Sequence, residues 1–215
     1  MKRFQFLLIS IFMATLAFAQ NEKPFERQKI FSIVPQYVIQ NGFRFDYEFT
    51  LRNNLKSWLQ LSPEFFISTH STNISTNNYK SMIGAGLEIH HKYYLKEPNE
   101  NGGYYFGYGG GLQFFGIKDN ESVSYTYTEN GTEYISFREE EVNNAINRLL
   151  LNFIIGKQVV SFKPFIVDYY LGVGFRYSVD KNLNLLNTYN STWFDYGYSG
   201  SLLVSGIKIG FDFSK

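Results

Sequence analysis

The chain contains no cysteine, which removes both a disulfide framework and thiol chemistry. It also lacks a basic excess. A formal net charge of +1 creates no field that would gather phosphates, so a nucleic-acid binder is excluded as a reading. Beyond residue 20 no apolar run approaches the roughly 18 residues that a spanning helix needs. A membrane can then be entered only by a closed barrel, because an open sheet leaves unpaired edges in lipid. Catalytic signatures are missing as well: there is no Gly-x-Ser-x-Gly elbow, P-loop or zinc-ligand spacing. The glycine-rich GYGGG of residues 107–111 has no Lys-Ser/Thr and no helix after it, so it reads as a tight strand rather than a phosphate cradle.

What is present begins with a targeting segment. Lys2 and Arg3 precede a mostly apolar run from Phe4 to Leu16, and Ala17-Phe18-Ala19 supplies the small-x-small pattern of a signal-peptidase site. Polar Gln20-Asn21-Glu22 follows at once, and no cysteine stands at the boundary to take a lipid anchor. Residues 1–19 are therefore expected to be a signal peptide, and residues 20–215 one domain. Aromatics make up 19% of the chain and glycines number 18, which, with many Asn, Ser and Thr, points to strands joined by polar loops.

The clearest strand is GFRFDYEFTLR, residues 42–52. Phe43, Phe45, Tyr47, Phe49 and Leu51 fall on one face; Arg44, Asp46, Glu48, Thr50 and Arg52 fall on the other. One such pattern decides nothing, but it recurs. Leu59, Leu61, Phe65 and Ile67 alternate, less perfectly, with Gln60, Ser62, Glu64 and Phe66. Residues 83–95 alternate an apolar set from Ile83 to Leu95 with Gly84, Gly86, Glu88, His90, Lys92 and Tyr94. Residues 165–177 oppose Phe165, Val167, Tyr169 and their successors to Asp168, Tyr170, Gly172, Gly174 and Arg176, and residues 203–213 oppose Ile207, Ile209, Phe211 and Phe213 to Lys208, Gly210 and Asp212. Weaker segments at 30–39, 104–117 and 149–159 bring the number to eight. Most reach the ~9–11 residues that a tilted strand needs to cross a bilayer, beyond the ~5–6 of an ordinary globular strand.

The connections add a second pattern. Short links at 53–55, 96–103 and around 160–162 alternate with longer ones at 69–79, 118–147 and 179–196. This is the spacing of periplasmic turns and external loops. The first external connection is expected to be a tight Asn41-Gly42 hairpin of type I′. Both termini then lie on the periplasmic side. The loop 118–147 is acidic, with Asp119, Glu121, Glu129, Glu133 and Glu139-Glu140-Glu141 against Lys118 and Arg138. A solvated, repelling loop is the plainer reading; cation-bridged partner binding is the other.

Alternation alone does not say which face looks out, since a soluble lipocalin-type barrel turns its apolar face inward. Aromatics near strand ends (Tyr93, Tyr104, Tyr177, Phe213), charges of both signs on the opposite face, and glycines repeated on that charged face favour an apolar face toward lipid. The expected polar network of the lumen comprises Arg44, Asp46, Glu48, Glu64, Glu88, Lys92, Asp168, Arg176, Lys208 and Asp212. Buried charges must pair, so such a network follows from the architecture and does not imply transport. His90 and His91, adjacent on a strand, face opposite ways and cannot share one metal.

The segments GAGLEIHHKYYL, GYYFGYGGGLQFF, YYLGVGFRYS and SGIKIGFDFSK resemble the small outer-membrane barrels described as porin-like or of the OmpA/OmpX type, among them a bacterial barrel family of unknown function. The final strand resembles their assembly signal, except that Ser214-Lys215 follow Phe213. The resemblance covers residue 31 onward. It implies an eight-stranded antiparallel up-and-down barrel in the bacterial outer membrane, with lipid around it and the barrel-assembly and periplasmic chaperone machinery as partners during biogenesis. No cofactor and no metal is expected, and the role is structural or surface interaction with minor small-solute permeation. Two alternatives stay open: a lipid-modifying enzyme, with His70 beside Ser71 or Thr72 as its candidate centre, and a soluble periplasmic barrel that binds a ligand.

Overall fold

A computed structural model describes residues 29–51, 54–69, 79–98, 102–162, 164–180 and 192–213. Residues 1–19, expected to be a signal peptide, and His70, Ser71 and Thr72 lie outside the described residues. The strands are β1 (Lys29–Ile33), β2 (Gly42–Thr50), β3 (Ser57–Ser68), β4 (Ser81–Tyr94), β5 (Gly103–Glu129), β6 (Thr132–Phe162), β7 (Phe165–Asp180) and β8 (Gly200–Asp212). Each pairs antiparallel with the next, and β8 returns to β1, giving a closed eight-stranded barrel. One end carries the turns 50–57, 94–103 and 162–165 together with the start of β1 and the end of β8; we call it the turn end. The other is the loop end.

Period-two alternation sets the two surfaces of the wall. Arg44, Asp46, Glu48 and Thr50 of β2 point inward and are buried, while Phe43 and Tyr47 between them are exposed. On β6, Phe153 is 54% exposed and its neighbour Asn152 is 7% exposed. Register follows from this division, because a slip by one residue exchanges the two faces of a strand. The expected strand ends Tyr104, Tyr177 and Phe213 all stand exposed on the outside. Tyr93 is half-buried against Phe106, with ring centroids 5.3 Å apart.

Three connections differ from the sequence expectation. The first strand does not run to residue 39. It stops at Ile33, and Pro35–Gln40 form a 3-10 segment. Pro35 has no N–H to offer a ladder, and its fixed φ suits the first position of a helical turn. Asn41 ends that segment in the left-handed region (φ 54°), its N–H donating to the Val38 carbonyl at 3.0 Å. Asn41-Gly42 is thus a helical terminus, and the tight hairpin expected there is not formed.

The second difference is larger. Residues 118–147 are no loop: β5 and β6 run on past the barrel as a two-stranded ribbon, in unbroken register to Glu129↔Thr132. Asn130 (φ 52°) and Gly131 (φ 80°) make the turn, the residue pair that a type I′ hairpin needs. Sheet partners other than each other end at Lys118 for β5 and Ile146 for β6. The eleven-residue arm Asp119–Glu129 thus reaches roughly 35–40 Å past the wall at about 3.4 Å per residue. Lastly, β6 and β7 pair through Phe162↔Phe165, with an irregularity at 160–162, so residues 160–162 belong to the strand and not to the link expected there.

Asp119 is buried at the base of the ribbon, whereas Glu129, Glu133, Arg138, Glu139 and Glu141 stay at the surface. Lys80 and Lys118 both reach Glu141, at 2.7 and 3.7 Å, and the hydrogen bond from Lys80 holds that carboxyl below its ordinary range. Arg138 pairs with Glu140 and lies over the Tyr125 ring. Exposed pairs of this kind contribute little. Replacing residues 122–139 with Asn-Gly should therefore leave the urea midpoint of the folded barrel within about 1 kcal/mol of the parent. A loss of several kcal/mol would show that the ribbon is part of what holds the barrel.

Candidate functional site

The inside of the barrel is layered. At the turn end Trp58, Tyr94, Tyr105, Ile30, Ile154 and Ile166 form an apolar cluster. At the loop end Phe66, Phe115, Tyr196, Tyr79, Met82, Ile117 and Ile146 form another, with Tyr37 of the 3-10 segment packed against it. Charged groups fill the space between. Side chains fill most of the lumen, as expected of an eight-stranded barrel whose interior is just wide enough for them, and leave one side cavity beside Arg44, Glu88 and Lys208.

Arg44 is the hub of the middle layer. Its guanidinium meets Asp46 at 2.7 Å, Glu88 at 2.9 Å and Glu64 at 3.1 Å, and it donates to the Tyr37 and Ser62 hydroxyls at 2.8 and 3.1 Å. Tyr37 donates in turn to Glu64 at 2.7 Å. Its two contacts bring the 3-10 segment into the loop-end mouth and tie it to β2 and β3.

Toward the turn end, Lys92 stands between Glu48 and Asp168, 2.8 Å from each, and lies 4.0 Å from the Tyr105 ring centroid. Lys208 meets Asp46 at 2.7 Å and Glu48 at 3.3 Å, and donates to Gln60 at 2.6 Å. Tyr105 completes the layer by donating to Asp168 at 2.7 Å. Asp46 and Glu48 therefore join the two halves into one network.

Eight of the ten residues expected in the lumen come together here: Arg44, Asp46, Glu48, Glu64, Glu88, Lys92, Asp168 and Lys208, all buried. Arg176 and Asp212 stand apart. Arg176 donates to the Trp193 carbonyl at 3.0 Å and makes no ion pair among the described residues. Asp212 is half-buried where β8 ends, its N–H donating to the Pro164 carbonyl. The sequence reading missed Arg148, which is buried at the loop end and donates to Gln113 at 3.1 Å and to the carbonyls of Tyr196 and Asp195. Tyr37 and Asn152 are likewise outside the expected set, while Gln60, expected on the polar face of its strand, joins the network through Lys208. Arg148 has the parity of Asn152, but Leu150 and Ile154 share that inner face, so β6 shows little polar contrast.

Glycines create the space. At Gly86 a Cβ would stand 2.9 Å from Glu64 Oε2 and 2.7 Å from Gln113 Cγ. At Gly111 it would stand 2.7 Å from Glu88 Cγ. These strands bring their backbones close to the carboxylates because no side chain intervenes. His90 faces inward, 3.2 Å from Glu88, while His91 faces outward, bonded to Ser57 at 2.7 Å and edge-on to Tyr108. Among the described residues no group of His, Cys, Asp and Glu is arranged to hold a metal ion.

Fold and interior together define a class: a closed antiparallel barrel with an apolar outer surface around a paired, polar core. That is the reverse of the arrangement a soluble barrel with an apolar interior requires. No protein-family model, curated protein or solved structure matches the chain.

Proposed function

We propose that this protein is a bacterial outer-membrane barrel, delivered by a cleaved signal peptide, that acts as an anchor and presents its long ribbon for surface interaction. The observation that carries this reading is the outer wall. Phe31, Tyr47, Phe65, Ile83, Leu112, Phe114, Leu151, Phe153, Leu171, Val173 and Ile207 stand exposed around the barrel, and among the described residues no charged side chain interrupts them between Lys157 near the turn end and Lys118 at the loop end. Contiguous apolar surface on this scale is unusual for a protein in water. It suits the lipid-facing band of a transmembrane barrel.

The largely filled, ion-paired lumen supports an anchor over a conducting pore. The ribbon supports surface interaction. Its Tyr125, Tyr127 and Tyr134 form an exposed aromatic ladder, with successive ring centroids 6.1 and 5.4 Å apart. Lipid would surround the wall, and assembly would pass through the periplasmic chaperones and barrel-assembly machinery.

The test places an environment-sensitive label at position 47 or 48 and measures quenching by lipid-soluble reagents in vesicles. Tyr47 is 38% exposed on the outer wall, and Glu48 is fully buried inside. Strong quenching at 47 with little at 48 is the expected result. Weak, equal quenching at both positions, or recovery of the protein as a soluble periplasmic monomer, would overturn the reading.

A further inference from the structure

The wall of the barrel is incomplete on one side. β1 pairs with β8 over only four residues, from Ile30↔Asp212 to Ile33↔Ile209. From Gly200 to Lys208, β8 pairs with β7 alone. On the opposite side of the opening, Gly42 and Phe43 of β2 likewise have no partner in β1. The 3-10 segment Pro35–Gln40 stands where the rest of β1 would lie. Among the described residues no backbone hydrogen bond joins it to β8. It is held by side chains: Gln36 donates to the Tyr170 hydroxyl at 2.8 Å and packs over Gly206, and Tyr37 is tied to Arg44 and Glu64. Peptide groups facing lipid without partners are costly, so a gap in a barrel wall needs something to occupy it.

Behind the gap lies a cavity of about 150 Å³. Gln36, Tyr170 and Arg176 line its inner side; Leu203, an outward-facing residue, and Trp193 line its rim. It thus spans from the polar lumen to the apolar outer surface. Its charges are uneven. Glu88, the acid in its wall, is already engaged by Arg44, His90 and Asn152. Among the described residues Arg176 meets a carbonyl and no carboxylate, and Arg148 on the neighbouring strand meets carbonyls and an amide. The outward side of the 3-10 segment is apolar, with Val38 and Ile39 exposed.

From this juxtaposition we infer that the gap is a lateral binding site for a single-chain anionic amphiphile of the long-chain carboxylate class. The carboxylate pairs with Arg176, and the chain leaves between the 3-10 segment and β8 into the surrounding lipid. The volume equals that of roughly five waters at about 30 Å³ each. It therefore holds the head and the first few carbons, while the rest of the chain lies along Leu203 and Ile39. This site rests on the outer-membrane reading proposed above.

The chain's two tryptophans make the test direct. Trp193 lines the cavity, and Trp58 lies buried in the turn-end cluster. With Trp58→Phe, Trp193 is the sole reporter. The full mature chain, folded in detergent micelles, is titrated with a brominated long-chain fatty acid. Saturable quenching, competed by unbrominated fatty acid and absent with the brominated alcohol of equal length, is expected. Arg176→Gln should weaken it at least about tenfold, the loss of a hydrogen-bonded charge pair, whereas Arg176→Lys should still saturate. Equal quenching in Arg176→Gln, equal quenching by the alcohol, or quenching that never saturates would overturn the site. Flotation of the same protein with vesicles separates the two proposals. A protein that floats but fails the titration refutes the site alone; one that does not float refutes the membrane assignment.

Discussion

Arg44→Leu should cost the barrel about 3–5 kcal/mol of folding stability, the usual result of leaving buried charges without their partner. Three carboxylates, Asp46, Glu64 and Glu88, lie within 3.1 Å of this guanidinium. Asp46 keeps Lys208 in the variant, but Glu64 and Glu88 lose their bond to a cation that is always charged. Tyr37 loses a partner too, which loosens the 3-10 segment in the mouth. Urea titration in vesicles, followed by the shift of the folded band on an unheated gel, measures the loss. Adding Glu64→Gln and Glu88→Gln should recover part of it, because these sites are coupled and their effects do not add. If the triple variant is less stable than Arg44→Leu by the sum of the separate losses, the network is not what Arg44 supports.

Phe153→Arg should destabilise the protein by about 2–4 kcal/mol in a bilayer, the cost of an arginine on the lipid face of a barrel near mid-depth. Phe153 lies midway along the barrel part of β6, opposite Tyr108 and Val173, and points outward. The control is Phe137→Arg on the ribbon. Phe137 is 66% exposed, more than Phe153, yet by this reading it stands in water. Its replacement should therefore change stability by no more than about 0.5 kcal/mol. Equal, small effects at 153 and 137 would mean that the belt is not in lipid.

The strands and their faces were legible because the period-two pattern is strongest where one face meets charge and the other does not. Residues 42–50 show it fully, and the structure turns each residue as the alternation requires. The connections were harder to read. Asn-Gly occurs at 41–42 and again at 130–131, and the sequence reading chose the first as a hairpin. The dipeptide permits a left-handed turn, but strands on both sides are needed to make it a hairpin. Tyr-Thr-Tyr-Thr-Glu and Thr-Glu-Tyr-Ile-Ser supply them around 130–131, whereas Pro35 withdraws one of them before 41. The ribbon reads as a loop in sequence because its run of acidic residues outweighs the alternation of Val123, Tyr125 and Tyr127 with Ser124, Thr126 and Thr128, a pattern of β-preferring residues. Arg148 was missed for the converse reason: its neighbours on the inner face are apolar. The network's membership was therefore largely visible in sequence, but its wiring through Tyr37 depended on a segment whose shape was not.

The four-residue join between β1 and β8 also bears on how the barrel is made. Every other pairing links strands adjacent in the chain and can zip from a nearby turn, while Ile30 must find Asp212 from the far end of the domain. Closing so long a loop sets its entropic cost before any reward, and non-local pairings of this kind slow folding. By this argument the seven pairings between neighbouring strands should form first, and the join should be the last stitch and the first to part. Substitutions along it alter the rate of closure more than the strength of the finished wall elsewhere. On the outer-membrane reading, the slow event in assembly is then the closure at Ile30–Ile33.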